Sequence, residues 1–145
     1  MKRSFLKILV ILAFVLAPAQ ATVDDALSYA LEAAVPYVKA GFTVREDWWG
    51  GDLPHTKPNN VKAIVHQLFK GNEYWFWLGS DVATAKLNVH VYDADGKICE
   101  VEAWTKGRFS GARVIPKKTG TYYIIVEVEK SDRDRTHWAM AYGFR

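Results

Sequence analysis

The chain has 145 residues, half of them hydrophobic, with 19 basic and 16 acidic side chains, one cysteine and a formal charge of +3. The excess charge lies wholly in Lys2, Arg3 and Lys7; without them 16 basic residues face 16 acidic ones, which removes nucleic acid and anionic membrane from the expected partners. A single cysteine excludes an intrachain disulfide framework, and the length suits one domain with one core.

The three early charges border an apolar run over residues 8–17, which leads into Ala19-Gln20-Ala21. This is the pattern of a secretory signal peptide cut after Ala21. The run is shorter than the roughly 20 residues that span a bilayer. The mature chain, residues 22–145, is therefore expected to be a soluble domain with no membrane span, exported to the periplasm or outside the cell, as a monomer or weak oligomer.

Thr22 and Asp25 stand three apart ahead of Leu27, Leu31, Ala34, Val35 and Val38, which follow helical spacing. The pattern predicts an amphipathic helix within 22–41 with a capping box at its start and that stripe as its buried face. Pro36 should kink or end it. Residues 42–60, with Trp48-Trp49-Gly50-Gly51-Asp52 and then Pro54-His55 and Pro58, read as a long connecting loop.

From residue 61 onward the hydrophobic rhythm has period two. Strands are predicted near 61–69, 73–79, 86–92, 97–104, 112–116, 121–130 and 136–144, with glycine-bearing turns at 70–72, 93–96 and 117–120. The fold class that follows is all-β, an antiparallel jelly-roll-type β-sandwich of about seven strands with one N-terminal helix. Cys99 alternates with Val101 and Ala103 and is expected to point inward.

Three passages carry a family resemblance: Lys70-Gly-Asn-Glu-Tyr-Trp-Phe-Trp-Leu78, Leu87-Asn-Val-His-Val-Tyr-Asp-Ala-Asp-Gly96 and Val114-Ile-Pro-Lys-Lys-Thr-Gly-Thr-Tyr-Tyr-Ile-Ile-Val126. In order and turn chemistry they resemble the bacterial pre-peptidase C-terminal domain. The resemblance implies a secreted β-sandwich that is normally a non-catalytic appendage of exported enzymes, some members binding polysaccharide or protein. Here the module is expected to stand alone behind a helix and a loop, which departs from that habit.

Chemistry-bearing clusters are few. Asp93, Asp95, Glu100 and Glu102 do not fit the twelve-residue calcium loop, and read as a turn followed by a solvated strand face. His55, His66, His90 and His137 lack the short pairings of zinc sites, so neither metal nor cofactor is expected. No serine sits in a nucleophile elbow, and Cys99 lies among small apolar neighbours rather than in an electropositive setting. An enzyme is not expected; a hydrolase would require His66 or His90 beside a carboxylate in a cleft.

The tryptophans are the positive signal. Trp75 and Trp77 alternate with Tyr74, Phe76 and Leu78, so one sheet is apolar on both sides. If the helix lies across Trp75 and Trp77, they are core. If not, they join Trp48, Trp49 and Trp104 as a candidate ligand-binding platform for sugar rings or peptide. The expected function is a non-catalytic binding or accessory module for polysaccharide or protein; the alternative is a structural or assembly protein acting through sheet-edge pairing.

Overall fold

The computed structural model describes residues 22–145, and the expected signal peptide lies outside them. Thr22 caps α1, Val23–Lys39: its hydroxyl accepts from the Asp25 amide at 3.2 Å, and the Asp25 carboxylate accepts from the Thr22 amide at 3.0 Å. Pro36 opens the last turn and does not end the helix.

The helix buries a different face from the expected one. Ala26, Ala30 and Ala34 are fully covered, whereas Leu31, Val35 and Val38 are about half exposed. The reason lies in the strand beneath, where Trp75 and Trp77 already fill the layer and Gly79 lets the helix backbone settle directly on the sheet. Only methyl groups fit in what remains. At the helix C-terminal end Tyr37 packs its ring 4.5 Å from that of Trp75 and 5.5 Å from that of Trp77.

Nine strands follow: β1 Thr43–Val44, β2 Trp49–Pro54, β3 Val61–Leu68, β4 Tyr74–Ser80, β5 Lys86–Tyr92, β6 Glu102–Lys106, β7 Phe109–Val114, β8 Gly120–Lys130 and β9 Arg135–Phe144. They form two antiparallel sheets. The larger has the order β1-β9-β4-β7-β6, with β2 also on β9; the smaller has the order β3-β8-β5. The protein is thus a β-sandwich with an N-terminal helix on one outer side. The main core lies between the sheets, and a second core of Trp75, Trp77, Ala141 and Phe42 lies between α1 and the larger sheet. The expected two-sided apolar sheet is β4 with its neighbours: every residue of β4 is buried.

Two segments depart from expectation. The predicted loop 42–60 supplies β1 and β2, which pair with β9 in series. β2 shows no hydrophobic alternation because Gly50 and Gly51 are placed by close approach: a side chain at 50 would stand 2.4 Å from Val23, and the Trp138 ring lies against 51. The predicted strand 97–104 is a crossing between sheets. Cys99 donates its amide to Val91 of β5, Val101 donates to Arg113 of β7, and β6 begins only at Glu102. Cys99 is consequently half-buried, while Val101 and Ala103 face solvent.

Candidate functional site

At the end of the sandwich where β3 and β9 finish and β4 begins, the β1–β2 link crosses the gap between the sheets. A half-open cleft of about 450 Å³ results, lined by Arg45, Asp47, His66, Tyr74, Tyr142 and Phe144 among others. That volume falls in the range of small-ligand pockets, about 300–1,000 Å³.

Its centre is a chain of hydrogen bonds. β9 presents the buried Tyr142, whose hydroxyl donates to Asp47 Oδ2 at 2.9 Å; His66 Nε2 from β3 lies 3.1 Å from the Tyr142 hydroxyl oxygen. Since the single phenol proton goes to the carboxylate, the network assigns His66 the Nε2–H tautomer, with Nε2 donating to Tyr142. Arg45 Nε stands 3.7 Å from Asp47 Oδ1, and its guanidinium lies 5.9 Å from the centre of the Phe144 ring. Behind the network Trp49 packs on His66 and Tyr142 at 5.1 and 5.2 Å, and Phe76 stacks on Tyr142 at 5.6 Å.

These contacts fix the protonation states. Burial, the bond to Asp47 and its charge push the Tyr142 hydroxyl up to about 12. Burial pulls His66 below its ordinary value, against the opposing pull of Asp47. A neutral imidazole and a firmly protonated phenol hold a ligand well. Each is engaged with the other, and Tyr142 also with Asp47.

The tryptophans named in the sequence do not converge. Trp75 and Trp77 are buried beneath α1, 3% and 0% exposed, which takes them out of any ligand platform. Trp104, on the far edge of the larger sheet, is half-buried and donates its indole N–H to the Tyr37 hydroxyl at 2.9 Å. Trp48 is exposed beside the start of α1, and Trp49 alone supports the cleft, from behind.

The histidine condition for hydrolysis is met only in part. His66 reaches a carboxylate through Tyr142, and His90 pairs directly with Glu100 at 2.7 Å, but on the outer side of the smaller sheet rather than in this cleft. Glu100 is not the solvated strand residue expected: its side chain is 6% exposed and accepts from both His90 and the Val91 amide. Asp93 does cap its turn, accepting from the amides of Asp95 and Lys97. Among the described residues no three His, Cys, Asp or Glu side chains gather as metal ligands.

Sequence reasoning singled out His66 but missed Arg45, Asp47 and the role of Tyr142. Asp47 and Tyr142 are 95 residues apart, and no local pattern links them.

The architecture and cleft define a class: a helix-backed antiparallel β-sandwich with a ligand-sized opening at one end. No protein-family model and no curated protein sequence matches the chain. Among solved structures it is similar in fold to PliG, a periplasmic lysozyme inhibitor of g-type lysozyme from Aeromonas hydrophila, with a TM-score of 0.50 and 11% identity over 73% of this chain and 90% of that one. A Bacillus licheniformis lipase in its propeptide form aligns with a TM-score of 0.44 and 16% identity over 78% of this chain and 26% of that protein. At 11% identity the likeness to PliG is one of fold alone.

Proposed function

We propose that this is an exported, non-catalytic binding module that recognises carbohydrate or protein through the end cleft. One observation carries the reading: the cleft has the size of a ligand pocket and an aromatic and hydrogen-bonding wall in which His66, Tyr142 and Asp47 are bonded in series. The signal-peptide pattern supports export, and the resemblance to the pre-peptidase C-terminal domain supports an accessory role. The PliG likeness makes a protein partner the first to try, because that protein is a periplasmic lysozyme inhibitor.

The test is binding to a panel of polysaccharides and to lysozymes, the g-type included, for the wild type, Arg45→Ala/Asp47→Ala and Trp48→Ala/Trp49→Ala/Trp104→Ala. Saturable binding lost in the cleft variant is the expected result. Turnover of any panel member, or affinity unchanged by the cleft substitutions, would overturn it.

A second reading, assembly through a sheet edge, has its own support. β3 is bonded to β8 on one side only, and Val61 and Val65 are exposed along it. A partner whose binding survives the cleft variants and fails when Val65 is replaced by proline would favour it.

A further inference from the structure

A second opening lies at the same end of the sandwich, and the carbohydrate or protein reading leaves it unused. The crossing segment 93–101 and the β7–β8 connection bound a groove of about 670 Å³. Ile98, Val101 and Ile115 line it at 58%, 54% and 48% exposure, three of the most exposed large apolar side chains among the described residues. Three apolar residues left open around one groove are more than scattered surface hydrophobicity.

The charges around that floor are unequal in availability. Asp93 and Glu100 are turned inward onto backbone amides, and Glu100 also onto His90. Lys97, Lys117 and Lys118 line the same groove, and among the described residues none of the three has a carboxylate within ion-pair distance. Only Asp95, at the tip of its turn, offers a free acidic group. An apolar floor with a rim of free ammonium groups is complementary to a molecule with the opposite arrangement, an apolar chain carrying an anionic head. A neutral sugar would leave the lysines unanswered, and a cation would be repelled.

We propose that this groove is a binding site for a single anionic amphiphile, its alkyl chain on Ile98, Val101 and Ile115 and its headgroup among Lys97, Lys117 and Lys118. The occupant is one molecule taken from solution, because the opening is a groove bounded by two loops and not a flat face to lay on a bilayer.

The probe is dodecyl phosphate below its micellar concentration, titrated calorimetrically into residues 22–145, with dodecanol and dodecyltrimethylammonium as controls. Expected is saturable one-to-one binding of the phosphate alone, weakened by added salt. Lys97→Gln/Lys117→Gln/Lys118→Gln removes all three ammonium groups that answer the headgroup and should lose about tenfold to a hundredfold in affinity. Ile98→Ser/Ile115→Ser should abolish binding; all five positions are on the surface, and thermal melts confirm that the variants fold. An independent readout is Cys99, which lines the groove: saturating probe should slow its alkylation over the same concentration range. Equal binding of the cationic or neutral probe, binding unaffected by both variants, or binding only to phosphatidylglycerol vesicles and not to the monomeric probe would each overturn the proposal. So would capture of an acidic apolar peptide without any affinity for the alkyl phosphate. Because Arg45 and Asp47 lie outside this groove, their substitution leaves the result intact even if the end-cleft reading fails.

Discussion

Replacing Gly79 by alanine tests how the helix is seated. A methyl group there would stand 2.4 Å from the Ala30 amide nitrogen, 2.7 Å from the Ala26 carbonyl oxygen and 2.8 Å from the Tyr29 carbonyl carbon. All three are backbone atoms, so no side chain can swing aside, and α1 must rise by about 1 Å to recover van der Waals separation. Overpacking typically costs about 1–3 kcal/mol. Here the upper end is expected, about 3 kcal/mol, because lifting the helix also opens the layer over Trp75 and Trp77. Urea unfolding followed by tryptophan emission measures both effects: a lower midpoint, and a native spectrum shifted to the red as water reaches the indoles. Gly120→Ala is the control, since nothing lies within 4 Å of the added methyl, and it should stay within about 0.5 kcal/mol of wild type. A Gly79→Ala protein as stable as the control, with unshifted emission, would refute the seating argument.

Further outcomes follow from the site and the core. Tyr142→Phe removes the hydroxyl shared by Asp47 and His66 and should cost about 1–2 kcal/mol, the lower part of the range for bonds to charged groups because Asp47 is half exposed. As pH rises from about 10 to about 12, unfolded Tyr142 releases a proton that the folded state still holds, so wild-type stability falls through that window; urea midpoints should show a shallower fall in Tyr142→Phe. On acidification below 6.5 the unfolded chain protonates His66 before the folded chain does, so stability drops toward the lowered folded value, and His66→Gln should flatten that limb. The Cys99 thiol, pushed from 9.0 up to about 11 chiefly by burial, should alkylate at neutral pH about a hundredfold more slowly than a model thiol. Acrylamide should quench Trp48 most, the half-buried Trp49 and Trp104 less, and Trp75, Trp77 and Trp138 hardly at all, so Trp48→Phe should lower the quenchable fraction of the emission.

Much of the fold was legible because β5 and β8 alternate between buried and open positions, while β4 and β9 are continuous aromatic-rich apolar runs. The capping box at Thr22 and Asp25 was equally local and equally readable. What failed depended on the far side of a contact. Leucine and valine were expected at the helix interface since they gain most from burial, but the volume beneath α1 was already taken by Trp75 and Trp77, whose rings no inspection of the helix reveals. β2 was hidden because its glycines answer to Val23 and Trp138, residues distant in the chain. The 97–104 segment has strand chemistry throughout, yet it changes sheets at residues 100–101, and periodicity carries no information on which neighbour a strand bonds.

The same division of surfaces explains where recognition can reside. The larger sheet spends both faces on packing, one against α1 and one against the smaller sheet, so its large aromatics serve stability rather than contact. That leaves the ends. β3 ends where β8 begins, with Leu68 opposite Gly120, and β4 begins where β7 and β9 end, with Tyr74 opposite Val114 and Phe144. Tyr74 joins the two layers there by accepting from the Phe69 amide, and the Lys70 amide donates to Thr119 between the cleft and the groove. Two openings of unlike chemistry thus share one rigid rim. If the two openings bind ligands as proposed, the hydrogen bonds across that rim lower the ordering cost for both.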